Sequence, residues 1–259
     1  MMDTRRGILY PARMPEFHRL PPPTGAAELV EWFWIPEWDV EQGRVSRQDV
    51  IAFPALNLVV QPDGVELVGA STTATRRDLT GRGWGVGALL RPASVPALVD
   101  DPAALRDDSV PFDAVGLHRS VCEAMGEGGP AGRERAVQVF ADWLVERVGE
   151  IDTVPRQANE MSTMLMGDAT VLRAEDAAAR LAMSVRTLQR LAHRYVGLSP
   201  AAMIRRRRLQ EAAQRVRDQP DVDLAALAAE LGYADHAHLT NDFRAVLNIT
   251  PRAYRSARG

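Results

Sequence analysis

Apolar positions in the first third of the chain fall in short runs that are typical of β-strands. Between residues 28 and 92 these runs are separated by turn residues, and such spacing predicts strands rather than helices. Two of the runs flank Gln61-Pro62-Asp63-Gly64, a connection that favours a β-hairpin. Strands of this length and spacing predict a small antiparallel β-barrel or sandwich.

The pattern changes to helical spacing near residue 94. Over residues 132–151 a wide apolar stripe is formed by Val137, Phe140, Ala141, Leu144, Val145 and Val148. The stripe predicts a helix that packs either on the β-domain or on its copy in a second subunit. We therefore predict an α+β fold with a β-rich regulatory domain (1–115), a helical extension that could mediate dimerisation (116–167) and an all-α domain (168–259).

The last third of the chain contains an internal repeat with an offset of about 50 residues. Segments 175–195 and 224–246 each hold a short Ala/Leu-rich helix, a turn and a longer helix rich in polar residues. Ala178 matches Ala228 at the point where the two helices of each segment cross. Helices joined by a short turn approach closely only where side chains are small. The repeat therefore predicts two helix-turn-helix units, over 175–196 and 224–247.

Capping residues mark the starts of the longer helices. Ser184 and Asp235 precede the second helix of each unit, and Ser199-Pro200 opens a helix over 200–217 that joins the units. The outward first turns of the two second helices are expected to contact DNA bases in the major groove. They carry Arg186, Thr187, Gln189 and Arg190 in the first unit, and His236, His238 and Asn241 in the second. Arginine and glutamine side chains can bond guanine and adenine edges with two hydrogen bonds.

One helix pair of this kind is also typical of an ordinary helical bundle, but two in one chain strongly favour DNA binding. The segments "MSVRTLQRLAHRYVGLSPAAMIRRRRLQEAA" and "LGYADHAHLTNDFRAVLNITPRAYR" resemble the DNA-binding domain of the AraC/XylS family of bacterial transcription regulators. The resemblance covers about residues 168–256 and implies double-stranded DNA and RNA polymerase as partners. It places base contacts at the seven residues named above and at Ala237.

Three positions depart from the family pattern. Ala182 stands where a turn glycine is common, which predicts a strained or altered turn. Asn241 replaces a common arginine, and Asp242 adds a negative charge beside it. We therefore expect the second unit to bind DNA more weakly than the first, or to read a different base.

Charge is divided unevenly along the chain. Residues 168–259 hold 15 arginines and 10 acidic residues, whereas residues 1–167 hold 16 arginines and 24 acidic residues. A basic C-terminal part is consistent with a polyanionic partner. The expected phosphate contacts are Arg194, Arg207, Arg208, Thr240 and Arg244.

The run of four arginines, from Arg205 to Arg208, lies within the linker helix. Because consecutive helical residues are about 100° apart, the four cannot all meet one phosphate strand. Leu209 lies at the centre of the apolar stripe. We expect Arg205 and Arg206 to lie over that packed face, while Arg207 and Arg208 are free to reach phosphate or solvent.

The N-terminal part has a fainter resemblance to the barrel-type domain of one branch of the same family, carried by "LVEWFWIPEW", "VIAFPALNLVVQPDG" and "DLTGRGWGVGALLRPA". No binding residues follow from it. The tryptophans Trp32, Trp34 and Trp84 either fill a core or line an effector pocket. The domain could bind a small molecule, dimerise, or serve a purely structural role.

Other chemistry has little support in the sequence. His236 and His238 are two residues apart and point in different directions on a helix, so we expect no metal site. The glycines of "GRGWGVG" lack the pattern of a nucleotide loop, and no catalytic set can be recognised. An enzyme fused to a DNA-binding domain is therefore disfavoured, and no cofactor is expected. The single cysteine and the lack of a long apolar run predict a cytoplasmic protein without a membrane partner.

Overall fold

The computed structural model describes residues 16–50, 53–219 and 221–256. Within these residues the strands are β1 (Glu16–Leu20), β2 (Val30–Asp39), β3 (Ser46–Val50), β4 (Asn57–Gln61), β5 (Gly64–Val68), β6 (Thr75–Leu79), β7 (Arg82–Trp84), β8 (Val86–Leu90) and β9 (Ser109–Pro111). The helices are α1 (Val115–Gly126), α2 (Gly129–Val148), α3 (Thr153–Gly167), α4 (Ala174–Arg180), α5 (Val185–Val196), α6 (Pro200–Asp218), α7 (Leu224–Glu230), α8 (His236–Leu247) and α9 (Pro251–Ser256). The predicted α+β class is confirmed.

The strands form an antiparallel β-structure. The larger sheet has the order β1-β2-β8-β4-β5-β9, with β7 paired to β2, and β3 pairs with β6 in a separate two-stranded sheet. The predicted hairpin is present, because β4 and β5 pair from Asn57–Val68 to Gln61–Gly64 around the turn. Short 3-10 helices at Pro92–Ala97 and Pro102–Leu105 follow β8.

The helices α1 and α2 cover one face of the larger sheet. Phe140 of α2 packs edge-on against Phe33 of β2, with ring centroids 5.4 Å apart, and both side chains are fully buried. The helix predicted over 132–151 therefore packs on the sheet, and it begins three residues earlier, at Gly129. Trp32, on the opposite face of the same strand, is also buried, so both faces of β2 are covered.

Helix α3 contacts both the β-structure and the C-terminal helices. The amide of Asn159 accepts a hydrogen bond from the backbone N–H of Ala93 (2.9 Å) and donates one to the carbonyl of Glu28 (2.8 Å). Other side chains of α3, including Met161 and Leu165, share a core with Leu188 and Leu191 of α5. One helix therefore contacts both halves of the molecule.

The two repeats fold as paired helices. The hydroxyl of Ser184 accepts from the N–H of Thr187 (3.1 Å), and the carboxylate of Asp235 accepts from the N–H of His238 (2.7 Å), which confirms both predicted caps. Ser199 caps α6 in the same way, through the N–H of Ala202 (3.2 Å). The matched small residues Ala178 and Ala228 are both buried, as close helix crossing requires.

The turn of the first unit is strained, as predicted. Ala182 has a φ of 50°, and Gly232 has a φ of 72° at the matching place in the second unit. A left-handed conformation costs an ordinary L-residue roughly 1–2 kcal/mol because Cβ approaches a carbonyl oxygen. The turn of the first unit, which is one residue shorter, therefore uses the same left-handed conformation without the glycine that would relieve the strain.

Candidate nucleic-acid interface

The first recognition helix, α5, separates an apolar inner face from a polar outer face. Leu188 and Leu191 are buried, while the side chains of Arg186, Gln189 and Arg190 are exposed. Thr187 is half-buried, and its hydroxyl lies 2.9 Å from that of Ser184. The outer face thus offers hydrogen-bond donors and acceptors in the first two turns, where base contacts are made by such helices.

The second recognition helix, α8, has a different outer face. His236, Ala237, His238 and Asn241 are exposed. The Nε2 atom of His236 lies 3.3 Å from the hydroxyl of Thr240, which is half-buried. Arg244 is exposed one turn further along. This face carries fewer arginines than that of α5, so its chemistry favours neutral hydrogen bonds over charge.

Arg194 is another exposed arginine at the surface of the first unit. Its guanidinium carbon lies 5.8 Å from the ring centroid of Tyr195. Both Arg194 and Arg244 are therefore placed where a phosphate could reach them. Contacts with DNA by these two residues and by Thr240 stay predictions.

The expectation that Arg207 is free to reach phosphate or solvent is wrong. Its side chain is 1% exposed. The guanidinium donates to the carbonyl oxygens of Leu165 (3.2 Å), Asp168 and Val171 (2.5 Å). Leu165 belongs to the last turn of α3, whose carbonyls lack partners within the helix. Arg207 therefore caps the C-terminal end of α3. Helix α6 is thus buried on a second face as well as on its apolar stripe.

Arg208 is also more enclosed than expected. It is half-buried, and its guanidinium carbon lies 4.0 Å from the ring centroid of Tyr233. Such stacking is favourable, because the face of the ring attracts the cation. A phosphate contact by Arg208 would require this stack to open, and it stays a prediction.

Arg205 and Arg206 lie over packed surfaces, as expected. Arg205 forms an ion pair with Asp242 of α8, and that hydrogen bond raises the pKa of Arg205. Arg206 is buried and donates to the carbonyl of Ser71 (2.8 Å) in the loop after β5. Burial lowers the pKa of Arg206 to about 10, so the guanidinium remains charged at neutral pH.

Asp242 does not add charge to the outer face of α8. Its carboxylate is 3% exposed and accepts a hydrogen bond from the hydroxyl of Tyr233 (3.0 Å) as well as pairing with Arg205. The negative charge of Asp242 therefore faces Arg205 and does not lie beside Asn241 on the outer face. Weaker DNA binding by the second unit, or the reading of a different base, stays a prediction. Asn241 is the exposed neighbour, and its preference for adenine stays a prediction.

A cavity of about 400 Å³ lies where the sheet, α3 and α6 meet. Its wall includes Trp32, Phe53, Thr163 and Gln214. The rings of Trp32 and Phe53 meet edge-on at 4.7 Å. Periodicity could not reveal this cavity, because its wall comes from segments more than 100 residues apart along the chain.

Two arginines lie at the cavity wall. The guanidinium of Arg19 stacks over the Trp32 ring at 4.6 Å. Arg91 donates to the carbonyl of Ala27 and to the hydroxyl of Thr163, each at 3.2 Å. The wall thus combines an aromatic surface with cationic and hydroxyl groups.

Of the three tryptophans considered as effector-binding residues, Trp32 lines the cavity. Trp34 lies elsewhere, and its ring nitrogen donates to the side-chain oxygen of Asn57 (2.9 Å). Trp84 packs against the core between the sheet and α2. Neither is among the residues that line the cavity.

Family models match both parts of the chain. Residues 177–257 match a helix-turn-helix domain, which is of the AraC type, and residues 18–111 match a domain of unknown function, DUF6597. No curated protein matches the chain. In the described residues, no helix is long and apolar enough to cross a bilayer.

Solved structures of two proteins are similar to the chain. A substituted, ligand-free ToxT from Vibrio cholerae is 11% identical, with a TM-score of 0.45 over 88% of this chain and 98% of that chain. ToxT with a bound unsaturated fatty acid, from the same organism, is 12% identical, with a TM-score of 0.40 over 98% of this chain and 97% of that chain. The AraC-like transcriptional activator CuxR is 16% identical, with a TM-score of 0.26 over 77% and 95%.

The helix-turn-helix match begins within α4 and continues past α9, so it includes both predicted units and the linker helix between them. Both units are capped, closely packed and polar on the outer face of their second helix. Together these matches show an AraC-type helix-turn-helix domain at residues 177–257, preceded by a DUF6597 domain at residues 18–111.

Proposed function

We propose that this chain is a sequence-specific regulator that reads DNA with α5 and α8 in successive segments of the major groove. The observation that carries the proposal is the presence of two capped helix-turn-helix units with exposed polar faces, joined by one continuous helix. The base contacts are Arg186, Thr187, Gln189, Arg190, His236, His238 and Asn241. Arg194, Arg208, Thr240 and Arg244 contact phosphates, and residues 168–259 form the DNA-binding domain.

The partners follow from this activity. Double-stranded DNA is bound directly, and RNA polymerase is the transcriptional partner in the bacterial cytoplasm. Association of two chains would double the contacted DNA length, and the helical segment 116–167 offers surface for it.

Replacing Gln189 or Arg190 with alanine is expected to weaken binding to the selected operator by about 1–3 kcal/mol, since each removes one base-reading side chain. The operator is first obtained by selection from random DNA. Binding is then measured by fluorescence anisotropy at one fixed salt concentration. The preference at a single base position should relax in each variant.

Arg119→Ala serves as the control, because Arg119 is an exposed arginine on α1, away from both units. It removes the same charge and should leave both affinity and base preference unchanged. Equal losses on operator and random DNA for Gln189→Ala and Arg190→Ala would show that these side chains do not read bases.

We also propose that the cavity between the sheet, α3 and α6 binds a small effector. Its volume of about 400 Å³ lies within the range of roughly 300–1,000 Å³ that is usual for ligand sites. Its apolar wall with a few polar groups is also usual for such sites. Gln214 is part of the cavity wall, so an occupant can contact α6, the helix between the two DNA-reading units.

A metabolite that occupies the cavity is expected to raise the melting temperature, since a ligand present at 100 times its Kd stabilises the native state by about 2.7 kcal/mol. Fractionated metabolite pools are screened by thermal unfolding. Ser162→Phe, which fills part of the cavity wall on α3, should abolish the shift while the helix content stays unchanged. If no pool shifts the wild-type protein and Ser162→Phe binds the operator normally, the N-terminal domain has a purely structural role.

A further inference from the structure

Four side chains join the linker helix α6 to the second helix-turn-helix unit. Asp242 points inward from α8, with 3% of its side chain exposed. It pairs with Arg205 of α6 and accepts a hydrogen bond from the hydroxyl of Tyr233 (3.0 Å), which lies in the turn before α8. Arg208, one helical turn after Arg205, stacks on the ring of Tyr233. Two arginines of α6 thus hold two residues of the second unit.

The carboxylate of Asp242 lies between a cationic and a neutral hydrogen-bond donor, Arg205 and Tyr233. Burial raises the pKa of Tyr233, and the neighbouring carboxylate of Asp242 raises it further, so the phenol keeps its proton and donates a hydrogen bond to Asp242. The hydrogen bond to Asp242 raises the pKa of Arg205. A buried carboxylate needs such partners, because desolvation otherwise makes its charged form unfavourable.

The hydrogen bonds of this cluster constrain the orientation of α8 more narrowly than the apolar contacts around them do. Around the cluster, α6 contributes Leu209 and Ala213 to an apolar core to which α8 contributes Leu239 and Phe243. The hydrophobic effect that stabilises such a core is itself non-directional. Charge-assisted hydrogen bonds have narrow angular preferences, so this cluster favours one orientation of α8.

The cluster also reaches the outer face of α8. The ring of Tyr233 contacts the ring of His238 edge-on, with centroids 5.2 Å apart. Asn241 directly precedes Asp242 and is exposed. A rotation of α8 that broke the pair with Arg205 would therefore also move two of the side chains expected to contact bases.

We propose that Arg205, Tyr233 and Asp242 are positioning residues that set the distance and angle between the two recognition helices, and so the spacing of the two half-sites that the protein accepts in its operator. The proposal rests on the DNA-reading function argued above. It assigns the three residues a role in specificity although none of them lies on the outer face of a recognition helix.

The test uses the full-length chain and a series of operators in which the two half-sites are at the selected spacing, or one or two base pairs closer or further apart. Asp242→Asn is expected to reduce affinity at the selected spacing about tenfold, as loss of hydrogen bonds to a charged group does. Its preference for that spacing over the neighbouring ones should become flatter. The footprint of the first half-site should stay unchanged.

Glu230→Gln is the matched control. Glu230 pairs with Arg215 at 3.1 Å, and this ion pair also joins α6 to the second unit, but it is exposed and contacts α7 rather than α8. The variant removes the same charge and should keep the wild-type spacing profile. Tyr233→Phe keeps the aromatic ring and removes the hydrogen bond to Asp242, so it should flatten the profile in the same direction. If Asp242→Asn fails to fold, the spacing profile of Tyr233→Phe tests the proposal instead.

Combining Arg205→Gln with Asp242→Asn provides a second readout. The double variant should lose little more affinity than either single variant, because the two side chains act as one pair.

A merely structural role would lower the melting temperature and leave the shape of the spacing profile unchanged in both Asp242→Asn and Tyr233→Phe, which would overturn the proposal. A wild-type protein that selects no operator would instead contradict the proposed function itself.

Discussion

Arg207→Met is expected to lower the free energy of unfolding by about 2–6 kcal/mol, because each buried carbonyl that loses its partner costs roughly 1–3 kcal/mol and the carbonyls of Leu165 and Val171 both accept from this guanidinium. The carbonyl of Asp168 also accepts from it but keeps a second hydrogen bond, from the backbone N–H of Val171 (3.2 Å). Methionine fills much of the same volume but donates no hydrogen bond. The loss is measured as a shift in the denaturant-unfolding transition of the C-terminal helices, followed by circular dichroism.

The salt dependence of DNA binding should separate this structural role from a phosphate contact. Arg207→Met should leave the slope of log affinity against log salt unchanged. Arg194→Met, at an exposed position of α5, should instead lower the slope by about one unit and leave stability within roughly 0.5 kcal/mol of wild type. The opposite pattern, a stable Arg207→Met with a smaller slope, would mean that the side chain leaves its buried site to meet DNA.

Arg207→Lys gives an intermediate test of the geometry. A lysine keeps the positive charge near the C-terminal end of α3, which the helix dipole favours. Its ammonium group is a compact point charge and lacks the planar fork of arginine. It should therefore recover part of the lost stability but not all, since it cannot span the three carbonyls with the same geometry.

The helix-turn-helix units could be predicted from sequence because their signals are local. Ser184 and Asp235 cap helices that start at the next residue, and the spacing of the leucines distinguishes inner from outer faces. The inward direction of Asp242 was also available from the sequence. Leu239 is buried on the inner face of α8, and a residue three positions later lies on nearly the same face.

The second buried face of α6 could not be predicted in this way. It is formed by polar residues, including Arg206, Arg207 and Gln210, all of which are buried. Apolar periodicity detects faces that pack through hydrocarbon and overlooks those that pack through hydrogen bonds. The partners of Arg207 lie 36–42 residues earlier in the chain, and the partner of Arg206 lies 135 residues earlier. Such contacts depend on the tertiary arrangement, which no local pattern records.

The contact between the first helix-turn-helix unit and the N-terminal part combines a local feature, which the sequence can predict, with a long-range one, which it cannot. Gly197 ends α5 with a φ of 78°, and its carbonyl accepts a hydrogen bond from Arg106 (3.0 Å). A Cβ atom at this position would lie 2.6 Å from the carbonyl oxygen of Pro102, in the 3-10 helix after β8. A helix-ending glycine is expected from local rules alone, whereas the close approach to Pro102 is a long-range feature.

Gly197→Ala is expected to lower the free energy of unfolding by more than the roughly 1–2 kcal/mol that a left-handed conformation costs an alanine. The added methyl group meets backbone atoms of Pro102 and Ala103, which cannot move aside as a flexible side chain can. Relief therefore requires the first helix-turn-helix unit to shift away from the N-terminal part. Thermal and denaturant unfolding measure the loss, and limited proteolysis measures the exposure of the segment around Pro102.

Gly81→Ala is the control that isolates the backbone cost. Gly81 also has a positive φ, of 56°, but a Cβ atom there would meet nothing within 4 Å. The difference between the two variants in free energy of unfolding therefore reports the clash with the backbone of Pro102 and Ala103. If Gly197→Ala were no more destabilising than Gly81→Ala and proteolysis were unchanged, the first unit would not rest against the N-terminal part in solution. A larger loss at Gly197 with faster cleavage near Pro102 would establish the direct contact through which the N-terminal part can influence α5.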